Sequence, residues 1–393
     1  MSHVLYLAWR YLAHHRVKTT ILVVAIMLIV FLPVGLRVLV KQSERELTTR
    51  AAATPLIVGA KGSPLELTLN SLYFESDTPA YLRYAEVERV AQSTLAAAIP
   101  LHTRFRVRQH PIVGTSLDYF TFRGLQVENG RQLAVLGECV LGADVASDLG
   151  VGPDDFLVSS PESVFDLAGV YPLKMRVVGL LARSHTPDDR AVFVDLKTAW
   201  VIEGLGHGHM DMSSGEAAPG VLRREGSKVI ANASVMQYNE ITPQNIDEFH
   251  FHGDTGGFPV TAIIAVPYDE KSSALLQGRY LGDEEQVQVV YPVEVMDALL
   301  DTILTVQTYV VTAVIVVGLA TLATATLVFL LSLRLRRREI VTMVKIGGTR
   351  SRVISLLAAE IVGVLVIGVL LAGLLTALTA AYGSVIIRAL IMS

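Results

Sequence analysis

The chain is 393 residues long, 51% hydrophobic and only 18% charged, with a mean hydropathy of +0.47. That balance exceeds an ordinary soluble average, yet it leaves too many polar residues for a protein wholly embedded in lipid. The net charge of −4 points to no nucleic-acid partner, and a single cysteine, Cys139, excludes an internal disulfide.

Residues 1–18 form a basic, amphipathic lead-in carrying Arg10, Arg16 and Lys18. The first apolar segment, 19–40, reads TTILVVAIMLIVFLPVGLRVLV and is broken only by Pro33 and Arg37. At ~1.5 Å per residue it spans roughly 33 Å as a helix, enough for a hydrocarbon core of about 30 Å. A cleaved secretory signal has a shorter apolar region, about 7–15 residues, with its cleavage site close behind. Here the small residues Ala51-Ala52-Ala53 come only after the polar stretch KQSERELTTR, so an uncleaved anchor is expected. That polar stretch holds no helix breaker before Pro55 and reads as an extension of the helix.

Residues 41–303 make up a stalk and an external domain. Strand signals rich in Val, Ile and Phe lie in FRVRQ, CVLGA, KMRVVGLLA, AVFVDL, VTAIIAVP and VQVVYP. Helices are expected over Tyr84–Ala97 and Ser272–Leu281, which gives an α+β domain of one or two subdomains. The span 203–257 is rich in Gly, His, Ser and Asn and reads as a loop-like insertion. It contains His207-x-His209-x-Asp211 and His250-x-His252-x-Asp254. Alternate residues of an extended strand share a face, so each pair of histidines could supply two ligands. Imidazole and carboxylate suit Zn²⁺ or Cu²⁺, and the neighbouring Met210 and Met212 suit Cu⁺. The spacing matches no standard zinc pattern, and the alternative is a set of solvated loop histidines.

Helical spacing at Val295, Leu299, Ile303 and Val306 leads into a second apolar segment, 304–333, and a third follows at 353–383. The two helical extensions form the stalk; the alternative is a pair of ordinary linkers. Between the second and third segments, the loop 334–352 carries Arg334, Arg336, Arg337, Arg338, Lys345, Arg350 and Arg352 against one acid, Glu339. Short loops rich in Lys and Arg stay cytoplasmic, so the N-terminus lies inside, the large domain outside, and 384–393 outside. The expected fold is a three-helix membrane anchor bearing a large α+β extracytoplasmic domain on a helical stalk. Within the loop, Arg338–Ile346 has room for about two helical turns before Gly347-Gly348 stops them. Its Ile340, Val341, Val344 and Ile346 are apolar, flanked by Arg337, Arg338 and Lys345. Such a helix suits docking in a groove of a cytoplasmic partner; the alternative is a basic loop lying on anionic headgroups. No GxxxxGK[ST] phosphate loop is present, VGAKGSP at 58–64 lacking the spacing, and no serine sits in a G-x-S-x-G elbow. The chain is therefore read as non-enzymatic.

Three stretches resemble the MacB/FtsX-like permeases, the membrane subunits of mechanotransmitting ABC transporters. They are LAWRYLAHHRVKTTILVVAIML, then RRREIVTMVKIGGTRSRVISLLAAE ending at Glu360, and the external pair GECVLGADVASDLGVGPDDF and MRVVGLLARSHTPDDRAVFVDL. The resemblance implies a bacterial inner-membrane, multi-pass subunit with a periplasmic domain, dimeric with itself or a paralogous permease. It implies two copies of a separate ATPase that bind ATP and Mg²⁺, with no cofactor in this chain itself. Arg337, Arg338, Glu339, Ile340, Val344, Lys345, Ile346 and Gly347 would form the coupling helix that rides on that ATPase. The work done would be efflux, extraction or activation of an external substrate, with membrane lipids and a periplasmic adaptor or substrate-binding protein as further partners. Family members carry four spans. Only SVIIRALIMS follows Gly383, too short to cross a bilayer, so a fourth helix is expected to be absent or supplied by a partner. A different class of protein, a membrane-anchored sensor or binder of a metal or ligand, would need a cytoplasmic output domain, and the inward loop is too small for one.

Overall fold

Two units divide the chain, residues 1–49 with 297–393, and residues 50–296. The computed structural model describes residues 2–75, 77–160, 172–208, 221–225, 228–231, 238–282, 285–335, 337–345 and 349–391.

The described residues of the first unit are almost entirely helical. A lead-in helix, Ser2–His14, precedes the first long helix, Arg16–Ala52; a second long helix spans Pro292–Leu335, a short one Arg337–Lys345, and a third long one Arg350–Ile391. Three stretches of these, Arg16–Gln42, Pro292–Val328 and Ser351–Gly383, are long and apolar enough to cross a membrane. Their aliphatic surface fits lipid: Val317, Leu319, Leu327 and Leu370 are each more than 60% exposed within the chain. Pro33 lies inside the first long helix without ending it. Glycines mark the close approaches between helices. A Cβ on Gly368 would stand 2.7 Å from Ile26 Cγ2, and one on Gly318 would stand 3.1 Å from Ile29 Cγ2. Small residues at such positions let apolar helices pack where lipid provides no hydrophobic drive. The lead-in helix lies along the third long helix, with Leu12 against Gly363.

The second unit is built on one mixed sheet. Its strand order is Val287–Val290, Leu56–Ala60, Ala262–Pro267, Ala96–His102, His110–Thr115, Val192–Asp195, Glu138–Leu141, Lys174–Leu181 and Val127–Gly130. Arg106–Val107 and Phe156–Val158 pair off this path. Among the described strands of this sheet two junctions are parallel: Val192–Asp195 with His110–Thr115, and Glu138–Leu141 with Lys174–Leu181. The rest are antiparallel, which makes this an α+β arrangement. The central strands read as near-continuous Val, Ile, Leu and Ala because helices cover them. Leu196–Ile202 joins two apolar clusters: Trp200 sits in one with Val87, Val90 and Leu276, while Ala199, Val201 and Ile202 sit in the other with Val145 and Val177. Trp200 is buried, and its indole N–H donates to Pro259 O at 2.8 Å.

Every expected strand segment contains a strand. Two expectations need correction. The helix expected over Tyr84–Ala97 ends at Gln92. Thr94 adopts φ 59, the left-handed region that breaks the helix, and Ala96–His102 then enters the sheet against Pro267. Alanine is a strong helix former, and here the sheet pairing overrides that preference. The span 203–257 is also not a structureless loop. Its described residues include strands at Gly206–Gly208, Val221–Glu225, Lys228–Ala231 and Phe249–Phe251. Weak periodicity arose because these strands are short, three to five residues each.

Gly142 sits at the end of the inner strand Glu138–Leu141, against the turn that leads into its neighbour Val192–Asp195. A Cβ there would lie 2.3 Å from Asp188 O and 2.4 Å from Asp189 C, both backbone atoms that cannot swing aside. Gly142→Ala is expected to lower stability by about 1–3 kcal/mol, the usual range for overpacking. Thermal unfolding of the detergent-solubilised chain would read this as a lowered midpoint.

Candidate functional site

Three places in the molecule carry unusual chemistry: the short helix after the second long helix, the external end of the first long helix, and a histidine face within 203–257.

The short helix is Arg337–Lys345, which overlaps the helical stretch expected at 338–346; Ile346 lies outside the described residues. Arg337, Arg338, Val341 and Lys345 are exposed and Ile340 is partly buried. Arg337, Val341 and Lys345 recur every four residues, so two cations flank an exposed valine along one face. The Thr342 hydroxyl donates to Arg338 O at 2.9 Å, a bond back into its own helix. Glu339 and Val344 lie on this helix, but their side chains fall outside the described residues, as do Ile346 and Gly347 entirely. Glu360 is buried on the third long helix.

The last turn of the first long helix carries Arg50, which belongs to the external unit. Its guanidinium is 8% exposed and grips Asp188, itself 1% exposed, with Nη1–Oδ2 at 2.6 Å and Nη2–Oδ1 at 2.9 Å. Tyr119 completes the triangle. Its hydroxyl donates to Asp188 Oδ1 at 2.6 Å and accepts from Arg50 Nη2 at 2.9 Å. The Thr186 hydroxyl donates to Asp188 Oδ2 at 2.9 Å. Burial alone would push the Asp188 carboxyl up, but the charge and hydrogen bonds of Arg50, the Tyr119 hydroxyl and the charge of Arg123 hold it below the usual carboxylate range. Burial also pushes the Tyr119 phenol well above its ordinary value, so it stays a donor. Next door, Asp189 accepts from Ser184 N at 2.8 Å and His185 N at 2.7 Å, fixing the tight turn Pro187–Arg190 that presents Asp188. The sequence reading missed this pair. Its signal was present in SHTPDDR, a proline-initiated turn with two adjacent acids, but nothing local shows that Arg50, 138 residues away, is the partner.

The third place is a two-stranded ribbon. Gly206–Gly208 pairs antiparallel with Phe249–Phe251, setting His207 opposite His250. Alternation puts Phe249 and Phe251 on one face, over Gly208 and Gly206, where a Cβ would meet the rings at 2.6 and 2.7 Å. Phe251 then packs on Trp200 and Phe258 of the core. The opposite face gathers His207, His250 and His252, whose ligating nitrogens all lie within 4.8 Å of one another. Of the other expected ligands, His209 and Asp211 lie outside the described residues, with Met210 and Met212. Asp254 is not part of the group: it is exposed and caps a short turn by accepting from Gly256 N at 3.3 Å.

Residues 19–223, just over half of the chain, match the family described as the MacB-like periplasmic core domain. The chain belongs to this family of MacB/FtsX-like ABC transporter permeases. Among solved structures it is similar to the periplasmic region of MacB from Actinobacillus actinomycetemcomitans, at 11% identity and a TM-score of 0.35, over 67% of this chain and 97% of that one. It is also similar to the extracellular domain of the ABC-type transporter YknZ from Gram-positive bacteria, at 12% identity and a TM-score of 0.31, over 60% of this chain and 98% of that one. No curated protein matches the sequence.

Proposed function

We propose that this chain is the permease subunit of an ATP-driven complex, in which a separate cytoplasmic ATPase, two copies per assembly, drives motion of the external unit. The observation that carries the proposal is the helix Arg337–Lys345, a short basic segment with Val341 exposed, held between two helices long and apolar enough to cross a membrane. Arg337, Arg338, Glu339, Ile340, Val344, Lys345, Ile346 and Gly347 would form the docking surface. ATP and Mg²⁺ would be bound by the partner, since this sequence holds no phosphate loop.

In this reading, closure of the paired ATPases displaces the docked helix and with it the ends of the second and third long helices. The first long helix runs from Arg16 to Ala52, and its last turn carries the Arg50–Asp188 clamp within the second unit. A bidentate, buried arginine–carboxylate pair has one geometry, and that suits the transmission of force better than a flexible contact. The chain would sit in a bacterial inner membrane with its N-terminus and residues 334–352 cytoplasmic, as the basic loops require. It would work as a dimer, with itself or a paralogous permease, on efflux, extraction or activation of a substrate outside the membrane. The test is to purify the tagged chain in mild detergent from its own host. An ATPase subunit is expected to copurify and hydrolyse ATP; a chain recovered without one contradicts the proposal.

A further inference from the structure

The histidine face is a built feature of the fold. Two glycines on one strand leave room for two phenylalanines on the other, and those rings anchor the ribbon to the core. The same alternation obliges His207, His250 and His252 to share the opposite face. Their ring centroids form a near-equilateral triangle, at 5.0, 4.7 and 4.8 Å. His252 Nε2 lies 3.4 Å from His207 Nε2. Two nitrogens each about 2.0–2.1 Å from a tetrahedral zinc ion stand about 3.3 Å apart. His250 Nδ1 lies 3.0 Å from Glu248 O, to which it can donate. A backbone carbonyl holding one imidazole nitrogen while the other binds metal is the supporting contact that metal-ligating histidines ordinarily have.

We propose that His207, His250 and His252 bind one borderline divalent transition cation, of the Zn²⁺ and Cu²⁺ class, on the external unit. Three neutral imidazoles suit that class, whereas Mg²⁺ and Ca²⁺ demand oxygen ligands. Three protein ligands leave a fourth position, and the exposed side of His252 opens it to solvent. Three ligands with an open position describe an exchangeable or ligand-accepting site more than a closed structural one. The cation would thus be held where an external molecule can reach it. This inference is independent of ATPase coupling.

The experiment uses the full chain in detergent. Zn²⁺ and, separately, Cu²⁺ are added to the apo protein, loosely held ion is removed by desalting, and retained metal is counted per chain. One ion per chain is expected. The double variant His207→Gln, His252→Gln is expected to lose affinity by more than the 10–100-fold that removal of a mere supporting contact costs. His110→Gln, on a different strand beside Asp148, is expected to retain full binding. Co²⁺ loading should give the intense visible absorption of a low-symmetry, nitrogen-ligated site in the parent and not in the double variant. Unfolding midpoints without metal establish that each variant is folded. Retention equal in parent and double variant, or loss equal in the His110 variant, overturns the proposal.

Discussion

Replacing Asp188 with alanine should destabilise the external unit by about 3–5 kcal/mol, the cost of stranding a buried charge. The expectation follows from what Arg50 would be left with. Its guanidinium is buried, and both hydrogen bonds to carboxylate oxygen would vanish, as would the acceptor of the Tyr119 hydroxyl. At about 2–4 °C per kcal/mol for a unit of this size, the unfolding midpoint should fall by roughly 10 °C. Removing both charges together, as in Arg50→Met with Asp188→Leu, should cost much less, because a buried pair replaced by apolar groups leaves no orphan. Acid should separate the same variants. The folded Asp188 carboxyl is held below its unfolded value, so its contribution is full above about pH 4, the ordinary range for aspartate, and is lost as pH falls through the folded value. The parent should therefore lose stability more steeply than Asp188→Ala on acidification below pH 4. Equal slopes in a series of unfolding curves would show that the pair contributes nothing pH-linked.

Placing aspartate at both Ile340 and Val341 should uncouple the ATPase. A partner groove that accepts this helix must desolvate Val341, and a carboxylate there would be buried without a partner. Central interface residues commonly contribute about 2 kcal/mol or more, so binding of the ATPase should weaken by roughly 30-fold or more. Arg337→Ala with Lys345→Ala should act differently. Both cations are exposed, so their loss should slow association and reduce its salt dependence with a smaller effect on affinity. Copurification yield and ATP turnover of the purified complex check both. A basic loop that merely lies on headgroups predicts the reverse ranking, with the cation variant the more damaging.

The membrane-compatible segments were legible because composition decides them: a predominantly apolar run of about twenty residues has few other uses. Six of the sheet strands were legible as runs of Val, Ile and Phe, whereas Leu56–Ala60, Ala96–His102, His110–Thr115, Val127–Gly130 and Phe156–Val158 were not. What the sequence hid was long-range pairing. GECVLGAD and SHTPDDR both lie in the stretches that carry the family resemblance, yet only the fold sets the Gly142 backbone against Asp188, and only the fold brings Arg50 to the same place. The histidines were half legible. Alternation in His250-x-His252 predicts a shared face, and it holds, but the third member had to come from the register that sets His207 opposite His250. The paired glycines beside His207 looked like loop composition and are instead the space for two phenylalanine rings.

The central claim is that Arg337–Lys345 touches an ATPase, and a single introduced thiol tests it most directly. Cys139 is the only native cysteine, fully buried, with its thiol pushed far above the ordinary range by that burial, so it is inert to polar reagents. Val341→Cys therefore provides one reactive site on the helix. Cross-linking from that position in native membranes, followed by identification of the adduct, should recover a peptide from a protein that carries a phosphate-binding loop. Efficient labelling of the thiol with no such adduct, in membranes where the chain is active, would contradict the account.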